Sequence, residues 1–155
     1  MSGEIIFPNS IPIRITQQPD GNYAWVSNDE YTMTEFQSPK NMFDTTALLA
    51  HNHGAGKYLF DLKIGDKINY ATKMGDGKSL SDLSISPLTV KEIHRYQALK
   101  PRSITSDFVD VETGEKHTAD GLFKLMYNNK GKTVFQTCIE KDGNMSWGRM
   151  FVVAE

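Results

Sequence analysis

The 155 residues predict a mostly-β protein, a closed or nearly closed sheet with one or two short helices. Short runs of β-branched and aromatic residues recur along the chain. Gly, Asn, Asp and Pro turn signals separate them at intervals of about eight to twelve residues, the spacing of a sandwich or barrel. Neither an internal repeat nor a low-complexity linker divides the sequence, so residues 1–155 read as a single domain, long enough to bury a real core.

In order, Ile11-Pro-Ile-Arg-Ile15 predicts a first strand, its proline marking a sheet edge or a strand start. Pro19-Asp-Gly-Asn22 turns into a short second strand at Tyr23–Val26, and a short helix is expected around Tyr31–Phe36. Thr45–His51 reads as a strand running into the small-residue loop Asn52-His-Gly-Ala-Gly56. After Tyr58–Leu62, the turn Ile64-Gly-Asp-Lys67 launches a strand at Ile68–Thr72, and Met74-Gly-Asp-Gly-Lys78 has the composition of a hairpin loop. Leu88–Leu99 and Asp107–Val111 follow as strands, the latter entering a turn at Glu112-Thr-Gly-Glu115, and Asp120–Tyr127 as a short helix. Thr133–Cys138 and Trp147–Val153 read as the last two strands, joined by Lys141-Asp-Gly-Asn144.

Composition narrows the function. Seventeen basic against nineteen acidic residues give a net charge of -2, no basis for a nucleic-acid or anionic-membrane partner. A lone cysteine excludes an internal disulfide and a cysteine-rich zinc site, and leaves a free thiol. No apolar run approaches the roughly eighteen residues that span a bilayer, and Met1–Glu4 lacks the basic and apolar regions of a signal peptide. The chain therefore reads as soluble, without a membrane anchor of its own.

The final two strands hold the chemistry. Joined by a tight turn they pair antiparallel, which brings Cys138 and Arg149 together at one end of the hairpin. Side chains two apart share a face, so Val134, Gln136 and Cys138 align on one strand, and Trp147, Arg149, Phe151 and Val153 on its partner. A guanidinium in an apolar row costs free energy unless an anion meets it, and a thiolate or a substrate oxyanion would serve. Far upstream, His51 stands where a strand gives way to a glycine-rich loop, a position that presents side chains to a cleft. Thiol, imidazole and guanidinium together suffice for acyl transfer.

Four runs in this order resemble the sortases, cysteine transpeptidases of bacterial cell surfaces: Leu49-Ala-His51, Phe60-Asp-Leu-Lys-Ile-Gly-Asp-Lys-Ile68, Val134-Phe-Gln-Thr-Cys138 and Arg149-Met-Phe-Val-Val153. The resemblance covers residues 45 to the end and implies an eight-stranded sortase-like β-barrel. It also implies Cys138 as nucleophile, His51 as general acid/base and Arg149 as the stabilising cation, with Thr137 against the bound signal; Ala50 and Trp147 are further candidates on the substrate side. The reaction implied is cleavage of a Leu-Pro-x-Thr-Gly-like sorting signal between Thr and Gly, with transfer of the acyl group to an amine. The acceptor would be a peptidoglycan precursor or a pilin lysine, the place of action the outer face of the bacterial membrane, and no cofactor is needed. Three features depart from the family pattern. Ala50 replaces the usual glycine before the histidine, Val134-Phe135 replaces the usual Thr-Leu, and the membrane anchor common in sortases is missing. With a second histidine two positions on, His53 is the alternative base.

Two other readings stand beside this one. His51 and His53, pointing the same way, could begin a metal site on a small β-barrel, with Cys138 or a carboxylate completing it. Alternatively the barrel only binds peptides and Cys138 is inert, as isolated buried cysteines commonly are.

Overall fold

A computed structural model of the protein describes residues 3–8, 10–73, 83–103 and 105–155. Among them are ten strands: β1 (Gly3–Ile6), β2 (Ile13–Gln17), β3 (Thr32–Glu35), β4 (Thr46–Leu49), β5 (Lys67–Lys73), β6 (Leu83–Ala98), β7 (Phe108–Asp110), β8 (Lys116–His117), β9 (Thr133–Lys141) and β10 (Asn144–Ala154). The helices are α1 (Gln37–Phe43), a 3-10 helix (Ala55–Asp61) and α2 (Ala119–Tyr127), so three short helices stand where one or two were expected. The strand order is β10-β9-β4-β3-β2-β1-β5-β6, and a further β10–β6 pairing closes these eight strands into a barrel. Closure leaves no unpaired edge along that ring. β7 and β8 extend the sheet outward from β6.

The chain's last third follows its sequence closely. The hairpin turn forms at Asp142-Gly143, both with positive φ (52° and 79°), and Asn144 faces Lys141 across it. A two-residue turn of this kind needs residues that tolerate the left-handed region, which Asp-Gly provides. α2 starts where Thr118 Oγ1 accepts a hydrogen bond from the Gly121 N–H (3.0 Å), an N-cap of about 1 kcal/mol. The hairpin-type loop expected at Met74–Lys78 lies outside the described residues, although the strands it would join, β5 and β6, pair antiparallel.

The first third departs from the sequence reading. Tyr23–Val26 is not a strand: Gln18 Nε2 donates to the Tyr23 and Trp25 carbonyls (3.1 and 3.0 Å), folding that stretch into an irregular loop. The segment expected to be helical, Tyr31–Phe36, contains β3, because β2 and β4 supply hydrogen-bond ladders on both edges of Thr32–Glu35. The helix comes one residue later, as α1, and closes on Asp44 in the left-handed region. Local propensity in Thr-Met-Thr-Glu is weak, and pairing with distant strands overrides it. β1 and β8 are short strands that the sequence did not signal.

Two apolar cores share β9 and β10. Leu48, Phe135, Met150, Val152 and Ala154 point into the barrel with Ile13, Met33 and Ile68. Val134, Phe151 and Val153 point outward, where Leu122, Met126 and Tyr127 of α2 cover them together with Tyr96. Burial on both faces explains the continuous run Met150-Phe-Val-Val-Ala154, which an amphipathic strand would break with polar residues. Phe135 is fully buried inside the barrel and contacts the Phe7 ring, centroids 5.6 Å apart. Phe135→Ala should therefore lower unfolding free energy by about 3–5 kcal/mol, read as a shifted denaturation midpoint. A loss below about 1 kcal/mol would contradict the position given to this ring.

Candidate active site

β9 and β10 pair residue for residue where the expected chemistry lies: Cys138 is the direct partner of Arg149, Thr137 of Met150 and Gln136 of Phe151. Opposed residues in an antiparallel pair hold their Cβ atoms about 4.5–5.5 Å apart on one face. Cys138 and Arg149 therefore share the outer face of the barrel with Gln136 and Phe151. Cys138 is half-buried and is a free thiol.

The register of β4 brings in the histidine. β4 runs parallel to β9, with Leu49 opposite Gln136, and the Ala50 N–H extends the ladder to the Gln136 carbonyl (3.2 Å). One residue further on each chain, Thr137 Oγ1 donates to the Ala50 carbonyl at 2.8 Å. His51 and Cys138 each lie two positions beyond the Leu49–Gln136 pair, at the same end of the two strands. The loop after His51 folds back on it: the Gly54 and Gly56 N–H groups both donate to the His51 carbonyl (3.0 Å each). Gly56 has no room for a side chain, because an added Cβ would overlap Thr137 Oγ1 and come within 2.7 Å of the His51 oxygen.

The two histidine rings stack, centroids 5.2 Å apart and planes within 6°. Partial burial lowers the pKa of His51, the charge of His53 lowers it further, and a hydrogen bond with the Val26 backbone opposes both. The neutral ring is thereby favoured. His53 is exposed and lines a shallow depression with Phe60 and Ile139. Among the described residues, no cluster of three His, Cys, Asp or Glu side chains is placed to hold a metal, so a site begun by these two rings has no third ligand there.

Arg149 makes no ion pair with a carboxylate among the described residues. Its Nη1 donates to the Gly148 and Ser146 carbonyls (3.0 and 3.3 Å), and its guanidinium lies 5.8 Å from the Phe108 ring centroid. Backbone carbonyls and an aromatic face hold it in place without neutralising it. It opens onto a cavity of about 540 Å³ between α2 and the outer faces of β4, β9 and β10, walled by Leu49, Phe108, Leu122, Phe123, Tyr127 and Phe151. Gln136 also lines this cavity.

The remaining expected residues stand elsewhere. Thr137 is buried on the opposite face of β9 from Cys138, and Ala50 packs within the barrel core. Their hydrogen bond joins β9 to the exit of β4. Trp147 lies at the hairpin end of β10 with the Lys141 ammonium 4.9 Å from its ring centroid. Of the expected residues Arg149 alone lines the cavity; Cys138, His51 and Trp147 are not in its described lining. Tyr127, Phe108 and Gln136 join the site without having been expected there. Gln136 carries a usable sequence signal, its place two residues before Cys138 on the same face. Tyr127 and Phe108 carry none, since only the folded helix and strand bring them there.

Comparison with solved structures agrees with this architecture. The chain superposes on sortase A of Listeria monocytogenes at TM-score 0.52 and 15% identity, covering 99% of this chain and 84% of that one. It superposes on a sortase of Actinomyces oris at 0.58 and 12%, and on the sortase D5 transpeptidase of Clostridium perfringens at 0.56 and 13%, each covering 99% of this chain and 77% of the other. The chain has a sortase-like fold. No protein-family model and no curated protein matches its sequence. At 12–15% identity the likeness establishes the backbone arrangement alone. Within the sortase-like barrel, the sequence runs that carried the resemblance fall on β4 and its exit, the segment from the 3-10 helix to β5, β9 and β10.

Gly56→Ala should push Thr137 or the His51 backbone aside and destabilise the fold by about 1–3 kcal/mol, measured by chemical denaturation; an unchanged midpoint would show that the loop relaxes freely. His53→Ala should raise the His51 pKa, because it removes a neighbouring positive charge and uncovers the ring. Imidazole titration by NMR checks this, and a fall in the His51 midpoint would contradict it.

Proposed function

We propose that this protein is a sortase-type cysteine transpeptidase. The observation that supports it most is the direct cross-strand pairing of Cys138 with Arg149, which opens onto a cavity with no carboxylate among its described lining residues. A free thiol beside a guanidinium without a carboxylate partner is an arrangement in which an oxyanion would be welcome. The sortase-like fold adds to this, and so does the parallel β4–β9 register that brings the His51 end of one strand to the Cys138 end of the other.

In this reading, a short sorting signal of the Leu-Pro-x-Thr-Gly kind lies extended over the cavity. His51 acts as the neutral imidazole, the form that its lowered pKa favours. It takes the Cys138 proton as sulfur attacks the scissile carbonyl carbon, forming a C–S bond and a tetrahedral oxyanion. Arg149 steadies that charge or the peptide backbone that carries it. The imidazolium then protonates the leaving nitrogen, the C–N bond breaks and a thioester remains. An amine acceptor, a peptidoglycan precursor or a pilin lysine, attacks the thioester and gives its proton to His51. The new amide forms and the thiol is restored. Water replaces the amine when no acceptor is present. The setting is the outer face of a bacterial membrane. Among the described residues no helix is long and apolar enough to cross one.

Incubation with sorting peptides should give an acyl-enzyme whose mass increase maps to Cys138, and Cys138→Ala should abolish it. Arg149→Ala should slow turnover by about two orders of magnitude while the fold persists. Nearly full activity in that variant would remove the arginine from the mechanism. Thiol labelling tests the inert-cysteine reading: there the cysteine reacts slowly, and His51→Ala leaves its pH profile unchanged.

A further inference from the structure

The cavity onto which Arg149, the cross-strand partner of Cys138, opens is apolar on most sides, yet Gln136 stands in its lining on the same strand face as the thiol. The Tyr127 hydroxyl donates a hydrogen bond to Gln136 Oε1. Tyr127 is completely buried, and burial pushes its pKa far up, so the phenol keeps its proton and acts as a donor. Turning the amide over would leave that buried O–H without an acceptor among the described residues, an unfavourable exchange. The Gln136 amide is thereby held in one orientation, with Nε2 directed away from the phenol. Nε2 has no protein acceptor among the described residues and is not sealed from the cavity.

Among the described residues, every side chain that lines this cavity is apolar, hydroxylic, amide or guanidinium, and none is a carboxylate. With the phenol engaged, Gln136 Nε2 and Arg149 are donors left for a guest. Two residues of strand separate Gln136 from Cys138, about 7 Å. An extended peptide with its scissile carbonyl at the sulfur therefore seats a residue about two positions away over Gln136.

We propose that Gln136, clamped by Tyr127, determines peptide specificity by reading a carbonyl oxygen on the side chain that enters this cavity, a carboxamide or a carboxylate. The inference rests on the cavity being the peptide cleft of the function proposed above. An aliphatic guest would strip water from the amide without replacing its hydrogen bond, and sites built around such a donor discriminate more sharply than purely apolar ones.

The test uses binding, so that it does not depend on the chemistry. Pools of synthetic octapeptides, each fixed at one position and random elsewhere, are bound to the Cys138→Ala protein and the retained peptides sequenced. One position should favour Asn, Gln, Asp or Glu over Leu and Val by about tenfold. Preference for Asp and Glu over their amides would identify a carboxylate guest, and the reverse a carboxamide. Gln136→Leu in the same background should erase that preference at that position alone, and Tyr127→Phe should weaken it by freeing the amide to turn. Should Gln136→Leu fold poorly, Gln136→Met replaces it. Aliphatic selection at every position, selection unchanged by these variants, or no binding at all would overturn the proposal. Peptide acylation of the intact protein is scored separately by mass. Selection that depends on Gln136 without an acyl adduct defeats the enzyme reading and leaves this one standing. An adduct without such selection does the opposite.

Discussion

The pleat of β9 is the constraint on which the rest of the molecule depends. Successive side chains of Val134-Phe-Gln-Thr-Cys-Ile139 alternate between the barrel interior and its outer face. Phe135 anchors the interior and Thr137 ties the strand to the β4 exit, while Gln136 and Cys138 are left facing out. A slip of one residue would bury the thiol and expose Phe135. The closed ring of eight strands resists such a slip, because β9 is paired on one edge with β10 and on the other with β4.

The electrostatics of the outer face follow from what packs there. α2 covers the upper part with Leu122, Met126 and Tyr127, and Phe108 closes one side. Arg149 therefore sits among aromatic rings and main-chain oxygens, with its positive charge held in place but not cancelled. A carboxylate in the same position would have produced an internal ion pair, a structural feature with little left to offer a ligand. Where the helix ends, Thr45 Oγ1 donates to the Tyr127 carbonyl (2.7 Å), fixing the start of β4 to the helix that roofs the cavity. The strand leading to His51 and the wall of the cleft are thus one mechanical unit.

Legibility from sequence varies along the chain for physical reasons. β9, β10 and their Asp-Gly turn are readable because strand composition, alternation and turn chemistry agree locally. α2 falls within a residue of the helix expected at Asp120–Tyr127, and in the structure the Thr118 cap and the buried Leu122, Met126 and Tyr127 account for it. Thr32–Glu35 is not, because its strand state comes from partners at residues 14–17 and 48–49 rather than from its own four residues. Tyr23–Val26 has the composition of a strand, yet hydrogen bonds from Gln18 hold it as a loop. In the candidate site, the turn places Cys138 and Arg149 at one end of the hairpin. Turn length alone would set Cys138 opposite Trp147, but a register shift between Asn144 and Gly148 makes Arg149 the direct partner. The burial of Thr137 and Ala50 is not readable, since it requires knowing which face of each strand the barrel encloses.

By itself, the sequence determined the β-rich class, the terminal hairpin, the shared face of Gln136 and Cys138, and the placing of thiol and guanidinium at one end of that hairpin. All of these arise from contacts close in sequence, where period and turn type settle geometry. Tertiary structure alone decided the closure of β6 on β10 and the parallel docking of β4 beside β9. It alone decided the stacking of His51 on His53 and the Tyr127–Gln136 bond within the roofed cavity. Those features depend on how separate elements dock. They form only when hydrophobic burial on both faces of a shared sheet selects one partner for each strand.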